Sequence, residues 1–570
     1  MNLKRVLVAT TLAASASLPL AAQWPSAEKI DLDAVYRIKE EGLERSQVMD
    51  TASYLTDVYG PRLTGSPDTS EAADWAQKTM KSWGLSNVHT EKWMFGRGWR
   101  SERVSAMALT PRAYPLIAYP KAWTPGTNGP VTGDAVIAVV NEEKDFETFR
   151  GQLRGKFVLT VPMRDVPAHF EPAGRRYTDV DLAELAKQPA ARGRGGRGNA
   201  AAAQAFARKR NQFWIDEGVA AVLDFSRGDD GTVFVQGGGS RDPKAPPVPP
   251  MVTLEVEHYG RILRTLQKKI PVTLQMDIVN RFYDDDQSAF NIVGELRGTD
   301  KADEVVMLGG HFDSWNAATG ATDNGAGSSD ALEAIRLLKA VGAHPRRTIR
   351  VALWSGEEEG LYGSIAYVAQ HFGSAENPKP EWFKFNGYLN IDSGTGKPRS
   401  ASVFGPAEAA KMVEEPMSFF KDWGFYHVNP TLGRSTGGTD STSFNNAGLP
   451  GIGYGQDPFD YGTFTHHTSY DTMERIYEPD VREAAVEEAL TAYALAMADQ
   501  MLPRCSAATM PPPPPEPAGR GAGAGRANVP VTPVREFYGP PLAEGQTPPP
   551  PTESCTASAP SGSATMKGVR

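Results

Sequence analysis

The sequence predicts an α/β protein in which a mixed, mostly parallel sheet with helices on both faces is interrupted by an inserted β-rich module. Two patterns carry this expectation. After Asp284, strand-length apolar runs alternate with helix-length amphipathic stretches: Val305 to Gly310, Ser328 to Val341, Thr348 to Trp354, Leu361 to His371. Between Ser105 and Asp284, short apolar runs recur between Gly and Pro instead: Ala135 to Val140, Phe157 to Val161, Val219 to Phe225, Val248 to Leu254, Pro271 to Val279. The length, 570 residues, is too great for one compact module.

The N-terminus places Lys4 and Arg5 before the apolar stretch Val6 to Leu20, with small residues at Ala21 and Ala22 and polar Gln23 after them. That is the layout of an export signal, and the run is shorter than the roughly 20 residues of a membrane span. Residues 1–22 are therefore expected to be removed, leaving an exported protein, periplasmic or secreted, without a membrane span. The main domain is expected over 23–104 and 285–504, and the β-rich insert over 105–284. Within the insert, the Arg, Gly and Ala-rich stretch 186–208 is expected to be a disordered loop. A strand from Gly387 to Asp392, a helix from Ala409 to Trp423 and a closing helix from Val481 to Met501 complete the main domain.

From 505 to 570, proline runs among Gly, Ala and Ser predict a disordered tail whose loss after Arg504 leaves folding and activity intact. Cys505 and Cys555 flank it. In an oxidising compartment they can pair and close it into a loop, and sequence leaves that open. Two cysteines in all exclude a disulfide-dense scaffold and a Cys-ligated metal cluster. With 59 basic against 68 acidic residues, the net charge of −9 gives no field to hold nucleic acid.

The chemistry lies where expected strands end. His311 and Asp313 follow Val305 to Gly310, and Asp323 sits in the turn Gly320 to Gly327. Glu357, Glu358 and Glu359 follow the strand Thr348 to Trp354, and Asp392 ends another. His466 and His467 lie on a loop after Gly451 to Tyr454. Ligand sites of open α/β sheets sit at such carboxyl ends. Three adjacent carboxylates aimed at one place call for a cation. Two imidazoles and three carboxylates, from His311, Asp323, Glu358, Asp392 and His467, suit borderline-hard divalent ions, zinc first. Five ligands exceed one tetrahedral ion but serve two if Asp323 bridges them. Glu359 is expected to be a solvated or helix-capping charge.

At these residues the chain resembles the co-catalytic dizinc aminopeptidases and glutamate carboxypeptidases, especially the plasma glutamate carboxypeptidase-like branch. The likeness runs through His311-x-Asp313, the Asp323 turn, Glu357-Glu358-x-Gly-Leu-x-Gly-Ser364, Asn390-x-Asp392 and His467-Thr-x-x-Asp471, and through Gly60 to Pro67. It spans most of Asp31 to Met501. The resemblance implies a zinc-exopeptidase fold with a protease-associated domain as the insert. It also implies one zinc ion on His311 and Asp392, a second on Glu358 and His467, Asp323 bridging, and Glu357 as general base. Asp313 and Asp471 are then expected to support imidazoles. His466 stands where many relatives carry an oxyanion-stabilising Tyr, and is the catalytic candidate for that task. Asp440, in the loop Gly437 to Phe444, is expected either to face substrate or to cap the following helix.

The expected function is removal of one residue from the N-terminus of a peptide or dipeptide. A carboxypeptidase acting on acidic C-terminal residues is the alternative, with Arg434 as its candidate cation. A one-zinc glutaminyl-cyclase-like transferase and a non-catalytic receptor-like protein are rivals; the complete ligand set argues against both. No nucleic-acid partner is expected, and a homodimer stays open.

Overall fold

The computed structural model describes residues 31–187, 200–514 and 550–555; the expected export signal lies outside them. Among the described residues no helix is long and apolar enough to cross a membrane. Two separate eight-stranded sheets organise the chain. The first runs, in spatial order, Ser86–Met94, Ser288–Leu296, Arg347–Trp354, Lys301–His311, Phe385–Asn390, Gly451–Gln456, Pro398–Phe404 and His427–Thr431. Arg347–Trp354, Lys301–His311, Phe385–Asn390 and Gly451–Gln456 are mutually parallel, and antiparallel pairs flank them.

Both faces of this sheet are buried, so the stretches that approach the strand ends, Val305 to Gly310 and Val351 to Trp354, are apolar without alternation. Alternate residues serve different layers. Val306, Leu308, Ile349, Val351 and Leu353 pack with the helices Pro67–Ser82, Ala326–Ala340, Ala407–Met417 and Glu478–Met497. Met307, Ala352 and Trp354 point the other way, toward Tyr367 and Val368 of the helix Tyr362–His371 and toward Phe444.

The second sheet orders Tyr114–Pro115, Gly98–Thr110, Thr273–Tyr283, Val131–Ile137, Phe157–Leu159, Ala221–Phe225, Met251–Leu254 and Ala118–Pro120. Its first long strand starts at Gly98, and it has its own apolar core around Phe157, Leu223, Tyr259 and Ile262.

Two expectations of disorder are corrected. In the stretch 186–208, residues 188–199 lie outside the described part, but residues 200–208 begin the helix Ala200–Glu217. Six alanines among residues 200–207 favour helix, and Phe213 and Trp214 anchor it against Val158 and Leu153. The tail is not wholly loose either. Arg504–Cys505 pairs in parallel with Thr552–Glu553, and Cys505 is bonded to Cys555. Arg504 is buried, stacked on Trp382 and donating to the Trp382 and Phe385 carbonyls.

Candidate metal centre

The parallel strands deliver His311 and, just past its strand end, Asp392 to one edge of the first sheet. His311 is buried, its Nδ1 3.0 Å from the Asp313 carbonyl oxygen. That orientation turns Nε2 toward Asp323 Oδ1 and Asp392 Oδ1, each 3.2 Å away. Burial alone would lower the His311 pKa; Asp392 and Glu357 outweigh it and hold it well above the ordinary value.

Asp323 occupies a break in helical geometry before the helix Ala326–Ala340. Asn324 fixes that break by donating from Nδ2 to the Ile391 carbonyl and accepting from Gly327 N–H. The other oxygen of Asp323, Oδ2, lies 3.2 Å from His467 Nε2 without hydrogen-bond geometry. His467 Nε2 is also 2.9 Å from Glu358 Oε2, while Glu358 Oε1 has no hydrogen-bond partner. Two trios therefore bring ligand atoms together, His311 with Asp323 and Asp392, and Asp323 with His466 and His467. His466 stands further off, Nε2 3.8 Å from Asp323 Oδ2, its ring packed at a tilt between Tyr461 and His467.

These atoms fit a pair of divalent cations. Two imidazole nitrogens face one carboxylate from opposite sides, and two buried carboxylate oxygens are left without hydrogen bonds that a cation would satisfy. Glu357 makes no such approach to either imidazole. It lines the large cleft beside the centre, and burial, with Asp392, Asp440 and Glu358 adding to it against His311, holds its pKa well above the ordinary range.

Asp313 meets His311 twice, through its backbone carbonyl at 3.0 Å and through its carboxylate, whose Oδ1 lies 3.7 Å from Nδ1; the carboxylate also accepts Thr64 O–H at 3.0 Å and the Glu357 and Glu358 N–H groups at 3.3 Å. Two supporting expectations change. Asp471 accepts from Thr322 N–H and braces the Asp323 turn rather than an imidazole. Glu359 is not solvated: both carboxyl oxygens are buried without hydrogen bonds, and burial beside Asp313 and Glu358 pushes its pKa up. Asp440 is fully buried and makes no capping bond to its helix, Ser441–Asn446, so capping does not explain it. Arg434 is engaged elsewhere, by Glu376, the Asn446 carbonyl and the Pro511 carbonyl.

The sequence reading overlooked Arg62. Wholly buried, it donates to the carbonyls of Leu55, Phe312, Thr319 and Gly320, tying the N-terminal segment to both loops that carry His311 and Asp323. An arginine inside a Gly and Pro-rich turn was the available signal.

The cleft next to the centre has a volume of about 960 Å³. Ser400, Ser402, Asn429, Thr436, Thr439 and Thr442 are among its walls, and Tyr177 and Leu185 of the second module close one side; no lysine or arginine lines it among the described residues.

Residues 291–491, which hold all five expected ligands, match the model of peptidase family M28, and the chain carries a domain of that family. It is homologous over most of its length to carboxypeptidase Q. The human protein is 27% identical over 473 residues, covering 83% of this chain and 90% of that one; the rat protein is 28% identical with the same coverage. Probable leucine aminopeptidase 2 of Arthroderma benhamiae is 32% identical over 205 residues, 34% of this chain and 38% of that one. The fold is that of a peptidase M28 precursor from Shewanella amazonensis, with a TM-score of 0.60 at 22% identity, covering 85% of this chain and 99% of that one.

Proposed function

We propose that the protein is an exported two-zinc exopeptidase that removes one residue from the N-terminus of a peptide or dipeptide. Asp323 carries this reading, because its two oxygens face His311 and His467 on opposite sides, the arrangement of a carboxylate shared by two cations. His311 and Asp392 would hold one ion, Glu358 and His467 the other. When bound, the ions would polarise the scissile carbonyl and acidify the attacking water. Glu357, at the cleft and clear of both imidazoles, takes the proton from that water and returns it to the leaving amine. His466, at the cleft edge of the pair, donates its ring N–H to the oxygen on which charge develops. The second module, read as a protease-associated domain, closes the substrate side through Tyr177 and Leu185.

The cleft favours a free amine over a free carboxylate, because no lysine or arginine lines it among the described residues and Arg434, the candidate cation, is occupied. Carboxypeptidase action is the second reading, favoured by the names of the full-length relatives. The test is zinc content of the purified protein together with hydrolysis of matched peptides with free and acylated N-termini. Two ions per chain and loss of cleavage on acylation support the proposal; efficient cleavage of acylated peptides selects the carboxypeptidase.

A further inference from the structure

The two cation positions are supported differently. His311 takes its orientation from a carbonyl two residues along its own chain. For His467 the partner comes from the second module: Gln236 places its carboxamide nitrogen, Nε2, 3.0 Å from His467 Nδ1. The contact is not isolated. Val235 N–H donates to the His467 carbonyl at 3.2 Å, Ser469 N–H to the Val233 carbonyl at 3.0 Å, and Val233 N–H to Ser469 Oγ at 3.0 Å. A short backbone ladder thus fastens the segment 233–236 to the loop bearing His467. That loop holds His467 at φ +61°, a conformation that non-glycine residues adopt only when their surroundings impose it.

Every other direction around the ring is taken. Glu358 and Asp323 face Nε2, and the rings of His466, Phe234 and Trp315 pack against the imidazole. Nε2 is therefore the metal-facing atom and must offer a lone pair, which requires the proton on Nδ1. A carboxamide can serve that proton only through its oxygen, and the two ends of a glutamine amide exchange places by a half-turn of the group.

We propose that Gln236 is a positioning residue of the metal centre, its Oε1 accepting the Nδ1–H of His467 and so fixing the tautomer and ring plane with which His467 meets the Glu358-side ion. The second module then completes the centre as well as bordering the cleft. This rests on the two-ion reading above.

The experiment uses the full chain and its Gln236→Leu and Gln236→Glu variants, reading zinc affinity by competition with a chromophoric chelator and thermal unfolding of the metal-stripped proteins. Gln236→Leu keeps the size of the side chain and removes the acceptor. It is expected to weaken one of the two ions by about 10- to 100-fold, the scale for loss of a ligand's outer partner, and to leave the other unchanged. Gln236→Glu retains an acceptor and is expected to restore the affinity. All three metal-stripped proteins should melt together. Wild-type zinc affinity in Gln236→Leu overturns the proposal. So do equal losses in both variants, or a metal-stripped Gln236→Leu that melts well below wild type, since either marks a purely structural role. A wild-type chain that binds no zinc overturns the peptidase reading itself, before any variant is compared.

Discussion

The two sides of Asp323 are built by different means. On one side His311 and Asp392 come from neighbouring parallel strands, and His311 is 1% exposed. On the other, Glu358 and His467 stand on loops, His467 is 13% exposed, and its ring nitrogen depends on a residue of the second module. A sheet edge fixes a ligand through the register of its strands, whereas a loop ligand is fixed only as well as whatever packs on it. The His467 side should therefore be the half of the centre that mutation loosens first.

The largest effect is expected where the two halves meet. Asp323→Asn withdraws the shared carboxylate, so neither ion should be retained and hydrolysis should disappear, which metal analysis of the purified variant checks directly. Retention of two ions would mean that the halves are independent sites.

Next come the neighbouring glutamates. Glu357→Gln should keep both ions, bind substrate nearly normally and lose about 10²-fold or more in kcat, the scale of a general base. Glu358→Gln should lose the ion on the His467 side and recover some activity in excess zinc. The reverse pattern would exchange the two roles and place the proton acceptor on the His467 side.

How much of this the sequence disclosed follows the same division. His311, Asp323, Glu357, Glu358 and Asp392 were legible because each follows an apolar strand or sits in a Gly-rich turn, where local pattern and position in the sheet coincide. His467 was legible as an imidazole, but nothing local joined it to Gln236, 231 positions away in a Gly-rich stretch. Arg62 was hidden for the same reason, since its worth lies in carbonyls gathered from distant loops. Glu359 was misjudged because a run of like charge usually means solvent, and only tertiary packing turned it inward. The Arg and Gly-rich patch masked a helix whose alanines and buried Trp214 were visible once composition was set aside.

A third, smaller effect separates docking of the second module from support of the metal. Arg176 in that module bonds Asp457 at 2.9 Å and Asp480 at 2.7 Å, both carboxylates buried in the main domain. Tyr177 N–H also donates to Asp457. Arg176→Leu leaves Asp480 a buried charge with a backbone donor from Lys397, which should cost about 1–3 kcal/mol of stability. Because Tyr177 borders the cleft, KM should rise by up to about tenfold, equivalent to about 1.4 kcal/mol. Zinc content should not change, because the Gln236 ladder is separate. Loss of zinc in this variant would show that the module docks as one rigid body whose every attachment supports His467.

The smallest effect is expected at the tail, the region whose disorder the composition overstated. Truncation after Arg504 removes the disulfide partner Cys505, the packing of Met510 on Gly448 and the Pro511 carbonyl that accepts from Arg434. Arg434 keeps Glu376 and the Asn446 carbonyl, and Arg504 keeps its stack on Trp382, so no buried charge is left alone. The loss should amount to about 1 kcal/mol, a melting temperature lower by roughly 2–4 °C for a domain of this size. Arg434 lies beside Ser435 and Thr436 of the cleft wall, so a change in activity should fall on KM and leave kcat and zinc content alone. Melting curves and steady-state kinetics on the truncated and full chains measure both. A collapse of kcat would mean that the tail braces the catalytic loops as firmly as the second module braces His467, and the contrast between a sheet-built and a contact-built half would then extend to a third, covalently closed, support.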